Sequence, residues 1–181
     1  MMNKLLTIAL LFATSLAFLP QSNAQDFPGL DKSPMDAVYY RPSRGSQPVM
    51  RVLYSRPQMN GREIFGGLVK YDKIWRLGAN ESTEIQFFQD VTVNGTKIGA
   101  GRYTVYATPG EKEWKIHFSS DVDSWGAYSY NPGHDVATVT VPVEASENPI
   151  EAFSIIFEKA DNGAHMVMGW ENTVVKVPIE F

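Results

Sequence analysis

The chain has 181 residues, of which 44% are apolar and 20% charged, with a formal net charge of −4. This length fits one ordinary domain or two small ones, and this composition can bury a core, which excludes a wholly disordered chain and a membrane protein with several spans. The negative charge argues against nucleic-acid binding by phosphate neutralisation, and the lack of cysteine excludes disulfides and thiolate metal sites.

Residues 1–24 have the pattern of a secretory signal peptide. Lys4 precedes an apolar run of 15 residues, and Ser22-Asn23-Ala24 supplies the small residues that a signal peptidase reads. We expect cleavage before Gln25, export to the periplasm or beyond the cell, and no membrane span in the mature chain. The alternative is an uncleaved anchor, but the run is shorter than the ~20 residues that a span needs.

Residues 25–47 contain three prolines, with a fourth at position 48, and are predicted to be irregular, whereas residues 48–181 contain short runs in which apolar and polar side chains alternate. This alternation is typical of strands with one face on a core. The predicted strands are Val49–Ser55, Glu84–Val93, Arg102–Ala107, Trp114–Ser119, Ala137–Val143, Phe153–Phe157, His165–Glu171 and Val175–Phe181.

Turn residues support this series of strands. Asn94-Gly95 and Asn162-Gly163 predict tight hairpin turns, since Asn-Gly readily adopts positive φ angles, and Pro109-Gly110 predicts another turn. Helical periodicity is confined to a turn or two within Leu68–Leu77. We therefore predict one all-β domain, residues 48–181, with an antiparallel β-sandwich or jelly-roll-like fold of about nine or ten strands.

Basic residues are concentrated in one short segment. Residues 41–76 contain six of the seven arginines and have a net charge of +6, whereas residues 77–181 have a net charge of −9. Guanidinium groups bind carboxylate, sulfate or phosphate through paired hydrogen bonds, so Arg56, Arg62 and Arg76 are candidates for an anion pocket. The alternative is that these arginines pair internally with Glu81, Glu84 or other acids and stabilise the ends of the sheet.

The same segment carries a family resemblance. The string YSRPQMNGREIFGGLVKYDKIWRLGANESTEIQF, residues 54–87, resembles the pattern YSRP…GR-IFGGLVPYG-VWR-GANE-T-I-F of the exported bacterial family called domain of unknown function 2911. The likeness continues through residues 99–103, 109–114 and 125–128, and Lys70-Tyr71-Asp72 departs from the family's Pro-Tyr-Gly. The resemblance implies a β-rich secreted or periplasmic protein and brings with it no activity, cofactor or catalytic residue.

Motifs of enzyme chemistry are few. His117, His134 and His165 lack the spacing of metal ligands, so we predict neither a metal site nor a cofactor, and no G-x-S-x-G elbow is present. A glycosidase-type carboxylate pair could include Glu81, the one weak catalytic candidate, with Glu84, Glu113 or Glu171 as its partner. An enzymatic role is therefore not favoured.

Aromatic side chains suggest a binding surface. Trp75, Trp125 and Tyr128 lie in loop-like sequence rich in glycine and polar residues, where aromatic rings can stack on a sugar or cover an apolar cleft. The alternative is packing into the core. The candidate ligand-binding residues are Arg56, Arg62, Trp75, Arg76, Asn80, Glu81, Trp125 and Tyr128.

These observations suggest three functions. The first is a non-catalytic exported module that binds a small anionic or carbohydrate-like ligand or a cell-envelope component. The second is a hydrolase of glycosides or other polymers that uses Glu81 and a second carboxylate. The third is an envelope assembly protein whose arginines dock on an acidic partner.

Overall fold

Nine antiparallel strands make up the protein between Met35 and Glu180. The structure is a computed structural model that describes residues 26–181. The strands are β1 (Met35–Tyr40), β2 (Met50–Ser55), β3 (Thr83–Phe87), β4 (Val91–Val93), β5 (Thr96–Ile98), β6 (Gly101–Pro109), β7 (Glu113–Ser119), β8 (Asp135–Ala160) and β9 (Gly163–Glu180). The helical structure within residues 26–181 is one 3-10 turn, Pro132–His134, so the predicted all-β antiparallel fold is confirmed.

The predicted signal peptide, residues 1–24, lies outside the described residues. Residues 26–30 are exposed and have no regular secondary structure, and residues 31–181 form one compact unit. Over the described part of the chain, no helix has the length and apolar character needed to cross a membrane.

The strands follow the order β1-β2-β3-β6-β7-β8-β9-β4-β5 in one sheet. Strand β8 is 26 residues long; its first part pairs with β7 and its second part pairs with β9, and the register shifts twice between Ala145 and Ser154. Side chains from distant strands of this order meet in the core, as the rings of Tyr54 on β2 and Phe153 on β8 show at a centroid distance of 5.7 Å. The long sheet therefore packs on itself like a sandwich.

The core is built from the side chains that alternate on the inner faces of the strands. Trp114, Ile116 and Phe118 on β7 are all buried, and so are Val175 and Val177 on β9. The turns predicted from Asn94-Gly95, Pro109-Gly110 and Asn162-Gly163 lie at the β4–β5, β6–β7 and β8–β9 hairpins, as expected.

The stretch 25–47, which the prolines predicted to be irregular, contains β1. Six residues between Pro34 and Pro42 are enough for a short strand, and β1 is an edge strand, where proline at either end removes no interior ladder bond. The sheet therefore begins before residue 48, and β1 pairs with β2 over its whole length.

Strand lengths also differ from those predicted. The expected strand Glu84–Val93 is divided into β3 and β4, because the exposed residues 88–90 turn the chain from the β2–β6 side of the sheet to β9. Conversely, the four predicted C-terminal strands merge into β8 and β9, since a strand can continue through a change of partner when bulges absorb the bend.

Candidate functional site

A loop of 27 residues, 56–82, connects β2 to β3 and contains most of the predicted site; we call it the cavity loop. Loops of this length without regular structure are uncommon in compact domains and are often functional. Backbone hydrogen bonds fix it to two strands of the sheet: the Trp75 N–H donates to the Ala107 carbonyl (2.7 Å), and the Met59 N–H donates to the Glu151 carbonyl (2.8 Å). The loop therefore has a defined shape.

Glu171 on β9 fixes the middle of the cavity loop. Its Oε1 accepts a hydrogen bond from the Ile64 N–H (3.1 Å), and its Oε2 lies 3.4 Å from the Phe65 nitrogen. A carboxylate that accepts from two backbone N–H groups holds a turn in place more strongly than a neutral acceptor would. Glu171, one of the possible catalytic carboxylates from the sequence, therefore anchors the loop.

Two glycines of the loop have a packing requirement. A Cβ on Gly67 would collide with the Glu63 carbonyl, and a Cβ on Gly78, whose φ is +157°, would lie 2.9 Å from the Ser55 carbonyl oxygen. Only glycine allows these close backbone approaches without a shift of the neighbours. The density of glycine in the family-like string thus reflects how tightly the loop folds on itself.

Trp75 is in the core and not in an exposed aromatic platform. Only 9% of it is exposed, and its ring stacks on Trp170 at 5.9 Å with an interplanar angle of 19°. Trp114 and Phe153 complete the cluster, with centroids 5.9 and 5.2 Å from Trp75. The packing alternative weighed for this tryptophan is the one that the structure shows, because Trp75 pairs with Ala107 on β6 and its ring points inward.

The outer edge of this aromatic cluster is the floor of a cavity of about 430 Å³. Such a volume is within the range of small-molecule sites. Four basic side chains from the cavity loop line it together with apolar and small residues. The lining consists of Arg62, Lys70, Lys73, Arg76, Ser33, Pro57, Leu68, Val69, Ile74, Trp75, Gly78, Ala79 and Trp170.

Three of the four basic groups are oriented by backbone carbonyls. Arg62 donates from Nε to the Met59 carbonyl (2.9 Å) and from Nη2 to the Gln58 carbonyl (2.6 Å). Arg76 donates from Nη1 to the Asn80 carbonyl, and Lys70 donates from Nζ to the Gly66 carbonyl, both at 3.1 Å. Each group keeps further N–H donors that these bonds do not use.

None of the four basic side chains forms an ion pair with a carboxylate of residues 26–181. The cavity lining includes no aspartate, glutamate or histidine from that part of the chain. The carbonyls therefore position the positive charges without neutralising them. We call this cavity, with its four basic side chains, the cationic cavity.

Arg56, by contrast, lies elsewhere and is fully engaged. It pairs with Asp36 (3.1 Å) on β1 and donates to the Phe153 carbonyl (3.2 Å) and to the Ser154 hydroxyl (2.8 Å). It joins the edge strand β1 to the second part of β8. Arg56 is therefore paired with an acidic residue of the protein, as the alternative from the sequence had it, whereas Arg62 and Arg76 line the cationic cavity.

Trp125 and Tyr128 form an exposed aromatic pair beside Arg76. Their rings stack at 5.8 Å with an interplanar angle of 12°, and they are 58% and 84% exposed. The Arg76 guanidinium carbon lies 5.4 Å from the Trp125 ring centroid, which is cation–π distance. Arg76 therefore connects the cationic cavity to this aromatic surface.

Asn80 and Glu81 fix the segment that carries Trp125. The Gly126 N–H donates to the Asn80 carbonyl (3.1 Å), and Glu81 forms a backbone bridge with Trp125. The Asn80 side chain donates to Asp31 (3.0 Å). Both residues were predicted to touch a ligand, and the contacts that the structure gives them are structural.

Glu81 also borders a second hollow, of about 360 Å³, which is lined by Glu84, Arg102 and Asp123 as well. Arg102 donates to both oxygens of Asp123 (2.9 and 2.6 Å) and lies 3.5 Å from Glu84. These acids raise the pKa of Arg102, with the Asp123 hydrogen bond as the largest cause. We call this the Arg102 hollow; its positive group is paired within the protein.

The sequence did not predict a buried polar cluster on the outer face of β6 and β7. His117 Nδ1 lies 2.8 Å from Asp135 Oδ2, and His117 Nε2 lies 3.0 Å from the Thr108 hydroxyl. Tyr130 donates to the same Asp135 oxygen (2.8 Å), and burial together with Asp135 raises the pKa of Tyr130. The side chains of His117 and Asp135 are only 6% and 9% exposed, so this hydroxyl–imidazole–carboxylate series is covered by the segment around Tyr130.

Lys70, Lys73 and Trp170 are members of the cationic cavity that the sequence prediction did not nominate. The two lysines contribute to the net charge of residues 41–76, but the sequence argument nominated only arginines, because guanidinium groups form paired hydrogen bonds with anions. Lys70 stands where the family pattern has proline, so it adds a basic group to the rim. Trp170 comes from β9, 95 residues beyond Trp75, and its contribution depends on long-range packing.

Fold and site define a class: a β-sandwich-like protein in which one long, tightly anchored loop forms a cavity with basic walls. The sequence pattern of the family described as "Protein of unknown function (DUF2911)" matches residues 33–179. The chain belongs to this family, as its glycine- and tryptophan-rich string indicated. Comparison with curated proteins and with solved structures gives no match.

Proposed function

We propose that the protein is an exported, non-catalytic module that binds a small anionic ligand in the cationic cavity. The observation that carries this proposal is the set of four basic side chains around one cavity, three of them oriented by carbonyls and none paired with a carboxylate of residues 26–181. Arg62, Lys70 and Lys73 are exposed and Arg76 is half-buried, so their unused donors are accessible to a ligand from solvent. Donors held in place before binding reduce the ordering cost of capturing an anion.

The chemistry of the lining supports binding more than turnover. General acid–base catalysis needs a group that exchanges a proton near neutral pH within hydrogen-bond reach of the substrate. The lining drawn from the described residues offers guanidinium and ammonium groups, the Ser33 hydroxyl and apolar side chains, and it includes no carboxylate or imidazole. This set can hold and orient a negative charge.

The hydrolase alternative places the reaction in the Arg102 hollow, where Glu81 is accompanied by Glu84 and Asp123. Arg102 binds two of these three carboxylates, and Glu84 also accepts a hydrogen bond from the Asp123 N–H (2.8 Å). A turnover that survives Glu81→Gln would remove Glu81 from this role. The assembly alternative would dock the arginines on an acidic partner, with the exposed Trp125–Tyr128 pair beside Arg76 as additional contact surface.

The proposal is tested by calorimetric titration of the purified protein with inorganic phosphate, citrate and benzoate. We expect Arg76→Gln to weaken the affinity for the anion by about tenfold or more, because a charge-assisted hydrogen bond contributes roughly 1.5–3 kcal/mol. Lys73→Gln removes a charge that forms no hydrogen bond with the described residues, so it tests binding even if an arginine variant folds poorly.

Arg44→Gln is the matched control, since Arg44 is exposed and lies outside the cavity lining. Equal losses for Arg44→Gln and Lys73→Gln would show that only the net charge of the protein matters. Absence of binding for all three anions would refute the proposal.

A further inference from the structure

The cationic cavity has two chemically different parts. The basic groups supply charge, whereas the half-buried Ile74 and Trp75, which is 9% exposed, provide apolar surface; Pro57, Val69 and Trp170 also line the cavity but are buried. A site for a compact inorganic anion needs donors on all sides and gains nothing from an apolar floor. The composition of the lining therefore points to a ligand with an apolar part.

The indole N–H groups of the floor are already occupied. Trp75 Nε1 donates to the Gly78 carbonyl, and Trp170 Nε1 donates to the Glu151 carbonyl, both at 3.2 Å. The two tryptophans therefore offer the cavity no free donor. A sugar ring stacks through its C–H face on an open indole face, and Trp75 and Trp170, which are only 9% and 1% exposed, offer no such face.

Leu68 adds an exposed apolar side chain at the same cavity. It precedes Val69 and Lys70, which also line the cavity, and is 51% exposed. Apolar surface next to fixed positive charge is covered favourably by a molecule that has a negative group and a hydrocarbon body. The four basic side chains can then bind the negative group while Leu68, Ile74 and the accessible part of Trp75 contact the hydrocarbon.

We propose that the ligand is an anionic amphiphile: one carboxylate, sulfate or phosphate group on an alkyl or aryl body, bound as a single molecule. This inference rests on the proposed function, because it concerns the ligand of the same cavity. It goes further by disfavouring acidic sugars, which share the charge but lack the apolar body.

The experiment is a titration series at constant ionic strength with acetate, butyrate, hexanoate and octanoate, all below their micelle concentrations, and with glucuronate. We expect affinity to rise about fourfold for each added methylene, because each buried methylene contributes roughly 0.8 kcal/mol. Glucuronate is expected to bind no more tightly than acetate. Octyl sulfate and octyl phosphate identify the preferred head group.

Leu68→Asn is expected to reduce the gain per methylene while acetate affinity stays the same, and Lys73→Gln is expected to weaken all members of the series alike. Ile156→Asn is the matched control, since Ile156 is also 51% exposed but lies on β8 outside the cavity. It should leave the whole series unchanged.

The outcomes separate this inference from the proposed function. If glucuronate binds as tightly as octanoate, the anion site stands and the amphiphile is wrong. If no anion binds, both are wrong. If octanol binds as tightly as octanoate, or if anionic lipid vesicles bind and octanoate does not, the assignment to a single anionic amphiphile is overturned.

Discussion

The cationic cavity and the Arg102 hollow are similar in size but opposite in the state of their charges. Three of the four basic groups of the first cavity donate to backbone carbonyls and keep further donors, whereas Arg102 in the second is held by Asp123 and Glu84. An arginine bound by two carboxylates has little attraction left for an external anion. What distinguishes a candidate binding site from a stabilising network is therefore the partner of each cation.

The two regions also differ in what holds them. The cavity loop depends on the buried Trp75 ring and on the half-buried Glu171, whose carboxylate accepts from the Ile64 and Phe65 N–H groups. The Arg102 hollow depends on exposed side chains at the sheet surface. Substitutions in the two regions should therefore differ in size and in salt dependence.

The largest effect is expected for Trp75→Ala. Loss of a large aromatic side chain from a packed core costs about 3–5 kcal/mol, so the free energy of unfolding measured with urea should fall by this amount. Trp125→Ala removes a ring of the same type that is 58% exposed, and its effect should stay below about 1 kcal/mol. Equal effects would contradict the core position of Trp75.

Glu171→Ala is expected to have an intermediate effect. It leaves the Ile64 and Phe65 N–H groups without their acceptor, which costs about 1–3 kcal/mol and loosens the cavity loop. Amide hydrogen exchange at these two residues should accelerate, and Glu171→Gln, which keeps one acceptor oxygen, should recover part of the loss. Glu81→Ala is the control in the other hollow; if it accelerates the same two amides, Glu171 is not the anchor.

The decrease in the free energy of unfolding at alkaline pH should depend on Tyr71 in the cavity loop. Burial, and then Glu111, Glu171 and Glu63, raise the pKa of Tyr71 above its ordinary value of 10.0. As the pH rises, the Tyr71 phenol therefore loses its proton in the unfolded chain before it does so in the folded protein. The contribution of Tyr71 to the free energy of unfolding is complete below pH 10.0 and is lost as the pH rises through the pKa of the folded state.

Tyr71→Phe should therefore flatten the decline in stability above about pH 10, as followed by urea unfolding at several pH values. Tyrosinate absorbance of the native protein should show one late-titrating tyrosine fewer in this variant. A decline of unchanged steepness would show that Tyr71 titrates as it does in the unfolded chain.

The smallest effect is expected for Arg102→Ala. Exposed ion pairs contribute little and are screened by salt, so the melting temperature should fall slightly at low ionic strength and not at high ionic strength. Anion binding at the cationic cavity should be unchanged. A clear loss of anion binding would mean that the two hollows are not independent.

Local patterns in the sequence were sufficient for the fold class and the turns. Alternating runs such as residues 114–119 predicted β7 within one residue, because each strand has one face on the core and the period of two results from that. Strand ends were less predictable: whether a strand stops at residue 143 or continues as β8 depends on the partner it meets next, which is a long-range property.

The candidate site was partly predictable for the same reason. The charge of residues 41–76 pointed to the cavity loop, and Arg62 and Arg76 do line one cavity. For Trp75 the sequence left both a binding surface and packing into the core open, because its neighbours are polar and its burial is set by Trp114 and Trp170 from distant strands. The sequence did not distinguish Arg56 from Arg62 and Arg76, because its partner Asp36 lies on β1, which was not predicted in the proline-containing segment.

The most direct test of the central claim is a crystal structure of the protein with a bromine-labelled benzoate, in which anomalous scattering locates the bromine. We predict one site in the cationic cavity, with the carboxylate on Arg62, Lys73 or Arg76 and the ring against Trp75 and Leu68. A bromine peak in the Arg102 hollow, or none in the cationic cavity at saturating ligand, would contradict the account.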